Sequence, residues 1–158
     1  MLVSYVYMNK NFYLKFPAVF REALISNIVS FDKDPETDFE TFKVYRGIFR
    51  KNNKPFVPLD KTDFESQAEK TLRLNINEQR KNRREINDSL GFYSCSVFTD
   101  LNDISVALKF PQKDRCIVEG PVSDENGCIR RASDNSHIDW WLYEKTGDFW
   151  NEYKVVSL

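Results

Sequence analysis

The sequence predicts an α+β domain with an antiparallel-rich sheet and helices mainly in its first two thirds. Two observations predict it. Apolar residues recur at four-residue steps early in the chain, whereas the last third carries short alternating runs separated by turn residues. The aromatic content of 15% and hydrophobic content of 41% supply enough bulky apolar material for a core built on a sheet. At 158 residues, positions 1–158 read as a single compact domain.

Each element follows from its local pattern. Residues 2–16 are rich in Val, Tyr and Phe and predict one or two short strands. Pro17 opens a helix whose stripe is Phe20, Leu24 and Ile28, ending near Phe31. The polar run 32–38 is a loop, with Pro35 disfavouring helix just before it. In 41–50 the alternation predicts a strand, with Phe42, Val44 and Ile48 on one face and Tyr45 and Phe49 on the other. Residues 51–55 form a turn. Asp60 or Thr62 then caps a helix with the stripe Phe64, Ala68, Leu72 and Ile76. A strand over 92–98 and a short helix over 101–110 follow, the latter with Ile104, Ala107 and Leu108 inward. Strands are expected at 115–120, 127–132, 138–144 and 153–156. Asn126-Gly127 marks a hairpin between the first two of these.

Composition excludes several function classes. A net charge of −1 offers no global attraction to nucleic acid or lipid. No run approaches the roughly 20 apolar residues needed to span a bilayer, and the first ten residues do not read as a signal peptide. Cys95, Cys116 and Cys128 form an odd set without paired spacing, which predicts reduced thiols and a cytoplasmic setting. A zinc site would need all three with His137, at intervals of 21, 12 and 9 residues, so no metal is expected. Glycine-rich phosphate loops, Gly-x-Ser-x-Gly and His-Glu-x-x-His are absent.

Four features remain that bear on chemistry. In Val44-Tyr-Arg-Gly47, Arg46 can present a planar fork to phosphate, and Gly47 lets a ligand or a backbone approach. The same arginine can instead pair with a surface acid. Ser94 and Ser96 share one face of an aromatic strand and can hold a ribose or amide, or simply form an edge. In residues 136–144, His137 can serve as an acid or base with Asp139 setting its tautomer, or with a cysteine as nucleophile. It can equally be a structural histidine beside packed Trp140 and Trp141. The basic run Lys70, Arg73, Arg80, Lys81, Arg83 and Arg84 is either a solvated helix face, steadied by pairs such as Glu69–Arg73, or a weak phosphate-contacting patch.

The Tyr-Arg-Gly segment, the Ser-x-Ser strand and a late glutamate together resemble the ADP-ribosyltransferase fold over roughly residues 42–144. The resemblance implies that Arg46 holds the phosphates of NAD, that Ser94 and Ser96 support its nicotinamide pocket, and that Glu144 stabilises the ribosyl cation. Glu119 and Glu152 compete for that last role. The family's Glu-x-Glu or Gln-x-Glu element is missing, since Leu142-Tyr143 precede Glu144. What it implies is an NAD-dependent transferase-like toxin or effector domain. The alternative is a non-enzymatic module that binds a protein or nucleic acid, including a small inhibitor or immunity-type protein.

Overall fold

The structure, a computed structural model, describes residues 10–51, 57–74 and 89–156. Its regular elements, in chain order, begin with helix α1 (Ala18–Ile25), strand β1 (Phe42–Phe49), helix α2 (Gln67–Leu74), strand β2 (Cys95–Phe98) and helix α3 (Leu101–Ala107). Strands β3 (Arg115–Val122), β4 (Gly127–Arg131), β5 (His137–Leu142) and β6 (Lys154–Val155) complete them. All six strands join one antiparallel sheet in the order β4-β5-β2-β1-β3-β6, so the α+β class holds.

The sheet is strongly curved. β3 and β4 stand four places apart in the strand order, yet only residues 123–126 connect them. Arg131 on β4 places its guanidinium 4.8 Å from the Phe42 ring on β1, so the two ends of the sheet approach across its concave side. The expected hairpin between residues 115–120 and 127–132 therefore does not form; β4 pairs with β5 instead. Gly127 serves another purpose than a turn. A Cβ there would lie 2.4 Å from the Trp141 carbonyl and 2.8 Å from Trp140 Nε1, so only glycine admits this strand contact.

Strand alternation divides the core in two. The concave face collects Val44, Ile48, Val97, Val118, Ile129, Ile138 and Trp140, closed by Phe64, Phe149 and Tyr153 from 3-10 turns and the segment beside them. The convex face carries Trp141 and Cys128, covered by Phe16, Phe20, Leu24 and Val29 around α1, with Ala68 from α2. The tandem tryptophans thus each anchor a different core, and both are fully buried.

Several boundaries differ from expectation for local reasons. Residues 10–13 are helical, not extended, and residues 2–9 lie outside the described part. α1 ends at Ile25 because Asn27 takes a left-handed φ of 59°, which leaves Ile28 exposed and turns Val29 inward. The single helix expected over the Phe64 stripe is two pieces. Asp60 does cap, accepting the Thr62 N–H, but it caps a 3-10 turn, Lys61–Phe64. Glu65-Ser66 then breaks the phase. Ser66 starts α2 through a reciprocal box: its Oγ accepts the Glu69 N–H at 3.1 Å, and Glu69 accepts the Ser66 N–H at 3.2 Å. The reset buries Thr71 and exposes Leu72, while Ile76 lies outside the described residues. The strand expected from Phe92 begins only at Cys95, because Leu90–Tyr93 forms a 3-10 turn. In α3, Ile104 is buried as expected, but Ala107 is exposed.

Candidate functional site

β1 is fully paired on one side only. Eight residue pairs join it to β3, from Phe42↔Val122 to Phe49↔Arg115, whereas a single pair, Tyr45↔Phe98, joins it to β2. Beyond that pair the two strands part. A cleft of about 730 Å³ opens between them, bordered by α2 and the end of α3. Arg46, Ser94 and Ser96 all line it, so the structure brings together the three residues assigned to ligand binding from sequence.

Their individual roles differ from that assignment. Arg46 shares the concave face with Val44 and Ile48, and its fork is turned onto backbone: Nη1 donates to the Ser96 carbonyl at 2.9 Å, Nε to Asp63 at 3.1 Å and Nη2 to Glu65 at 3.3 Å. It thus ties the parted edge of β2 to the segment between Lys61–Phe64 and α2. Three of its five N–H groups are engaged this way, so it is not a free phosphate fork. Arg50, on the same face four residues on, grips the same segment. It pairs with both carboxylate oxygens of Asp63, at 2.6 and 2.8 Å, with both side chains about nine-tenths buried. Asp63 is the dominant cause of a raised guanidinium pKa at Arg50. Asp63 also accepts the Asp60 N–H at 3.0 Å. The Asp60 carboxyl is held below the usual aspartate range, chiefly by the Thr62 hydroxyl.

Ser94 is buried and donates to Asp139 Oδ1 at 2.8 Å. Asp139 is also gripped by Arg130, through Nη2 at 2.7 Å and Nε at 3.1 Å. Ser96 Oγ lies 3.1 Å from His137 Nε2. Asp139 Oδ1 is 4.0 Å from that same nitrogen. It therefore does not set the tautomer through the opposite nitrogen, as a nucleophile–base–acid relay would require. Cys95 and Cys128 are buried free thiols, and Cys116 is half-buried. Burial pushes all three up, Cys128 to about 12, so none is an activated nucleophile for a pair with His137. No group of three or more metal-ligating side chains occurs among the described residues.

The late glutamates are elsewhere. Glu144 is exposed and 3.6 Å from Arg21, in a separate depression with Lys15 and Tyr143. Glu119 pairs with Lys43 and Lys154, and it lines another depression with Glu152. None of the three borders the β1–β2 cleft. The Gly47 approach is made by the Leu108 side chain of the α3 end, which a Cβ would strike at 2.3 Å, not by a ligand or backbone.

Sequence reasoning singled out Arg46, Lys70 and Arg73 but missed Arg50, Arg115 and the gathering of all five around one cleft. Arg46, Arg50, Lys70, Arg73 and Arg115 line it against two acids, Asp63 and Glu65. Asp63 is matched by Arg50. Glu65 is matched by Arg73 at 2.6 Å, which replaces the expected Glu69–Arg73 pair, because Glu69 caps α2. Among the described residues, Lys70 and Arg115, both half-buried, are the cations left over beside the opening once those two pairs and the Arg46 contacts are assigned. Of the basic run, Arg80, Lys81, Arg83 and Arg84 lie outside the described residues. Among the described residues, no helix is long and apolar enough to cross a membrane. No family model, no curated protein and no solved structure matches this chain.

Proposed function

We propose that the chain is a binding module for a phosphate-bearing small molecule, held in the cleft between β1 and β2, and not a transferase that relies on Glu144. One observation carries this reading: the sheet parts after Tyr45↔Phe98, and among the described residues the opening is lined by five cations and two acids. With both acids already paired to arginine, the surplus positive charge of Lys70 and Arg115 favours an anion, and low-dielectric walls strengthen that attraction. The residues do not reproduce the NAD grip that the resemblance implies, because Arg46 is engaged with carbonyls and Ser94 with Asp139. NAD remains the natural first probe, since it carries a pyrophosphate and a ribose for Ser96.

Calorimetry tests the reading. Wild-type protein is expected to bind NAD or ADP-ribose in the micromolar to millimolar range. Lys70→Ala with Arg115→Ala is expected to weaken binding about tenfold or more, consistent with loss of two charge-assisted contacts. The double variant is expected to melt near the wild-type temperature. No heat from either ligand at millimolar concentration, at low salt, rejects the proposal.

A further inference from the structure

His137 is the only histidine in the chain, and histidine is the side-chain type that most readily gains or loses a proton near neutral pH. It does not line the cleft, but its Nε2 lies 3.1 Å from the hydroxyl of Ser96, which does. We infer that His137 sets the pH dependence of anion binding in the cleft by fixing the Ser96 hydroxyl as a donor toward the ligand when the ring is protonated. This rests on the binding reading above.

Ser96 has one hydroxyl hydrogen. A neutral imidazole has one bare nitrogen, and in the tautomer with Nε2 bare it takes that hydrogen, leaving only lone pairs to face the cleft. A doubly protonated ring can only donate. Nε2–H then points at Ser96 Oγ, and the hydroxyl hydrogen is released toward other neighbours. Protonation also puts a positive charge one residue contact away from the opening. Both effects have the same sign for an anion: binding is stronger with the ring protonated than with it neutral.

Asp139 and Phe98 face the ring, and Arg130 and Asp103 are bonded to its neighbours. Asp139 on β5 has Oδ1 4.0 Å from Nε2. Arg130 on β4 is bonded to that carboxylate. From β2, the Phe98 ring centroid lies 5.1 Å away. On α3, the Asp103 carboxylate accepts the N–H of neighbouring Ser136 at 3.0 Å. All of these stay in place when only residue 137 is changed.

The experiment is NAD calorimetry at about pH 5.5 and pH 8. NAD suits it because its pyrophosphate is a diester, without the second phosphate ionisation near 6 that makes monoester ligands change charge in this range. Wild-type protein is expected to bind about threefold or more tightly at the lower pH, on the order of one added charge-assisted hydrogen bond. His137→Phe and His137→Gln are both expected to bind NAD with the same affinity at the two pH values, and melting curves check that both remain folded. Equal wild-type affinity at the two pH values overturns this inference alone. So does a pH dependence that survives in both variants. Absence of NAD binding at either pH overturns the binding reading and this inference together.

Discussion

On its β3 side, β1 is paired along all eight residues; on its β2 side it is paired at Tyr45 alone. The two sides are built from the same strand, Phe42–Phe49, so strand propensity cannot account for the difference. What separates them is the neighbour. β3 is equally long and antiparallel, and the ladder runs its full length. β2 is four residues long, pairs along all four with β5, and meets β1 only at its last residue, Phe98. Two arginines, Arg46 on β1 and Arg50 just past its end, then hold the segment 58–65 against the gap through backbone carbonyls and Asp63. The closed side is held by a ladder and the open side by side-chain clamps. A gap kept open by charged clamps is a place where a ligand can enter without breaking the sheet.

Breaking the clamp tests this contrast. Asp63→Ala leaves the nearly buried Arg50 guanidinium unpaired and also removes the acceptor for the Asp60 N–H. It is expected to cost about 3–5 kcal/mol in chemical denaturation. A cost below about 1 kcal/mol means that Arg50 finds solvent easily and that the gap is not held by this pair. Arg46→Lys keeps a charge but not the fork, and one ammonium cannot meet three carbonyls in the same geometry. About 2 kcal/mol of destabilisation is expected, on the scale of one or two hydrogen bonds from a charged donor. An unchanged midpoint shows that Arg46 is free for another task, which restores it as a candidate phosphate fork.

The smallest effect is at Leu72. It belongs to the apolar stripe read from the sequence, yet 56% of it is exposed. Leu72→Ala is therefore expected to shift stability by less than about 0.5 kcal/mol. A loss of about 2 kcal/mol or more would show that the helix phase set at Ser66 is wrong and that the uninterrupted stripe is right.

That stripe shows where sequence reading stops. The spacing of Phe64, Ala68 and Leu72 fits one helix, but the capping box Ser66-Gln-Ala-Glu69 was visible in the sequence and marks a new start. Strand faces were legible because alternation is local: Val44 and Ile48 face one core, and Trp140 and Trp141 face opposite ones. Pairing was not legible. Asn126-Gly127 fits a hairpin, but the curvature of the sheet carries the chain across to β5. The site divides in the same way. Arg46, Ser94 and Ser96 stood out by residue type and line one cleft, whereas Lys70 and Arg115 stand 45 positions apart in the chain and reach the same cleft only through the fold, which no local pattern encodes.

Amide hydrogen exchange along β1 distinguishes a sheet that is open between β1 and β2 from one that is closed there. Val156 N–H bonds the Ile117 carbonyl, so Ile117 faces β6; by alternation the backbone groups of Arg46 and Ile48 face β3, and those of Gly47 face β2. The Arg46 and Ile48 amides are expected to exchange slowly, near the rate of global unfolding, and the Gly47 amide much faster. Saturating NAD is expected to slow Gly47 more than its two neighbours. Equal slow exchange at all three positions without ligand would show that the sheet is closed between β1 and β2, and would contradict the account.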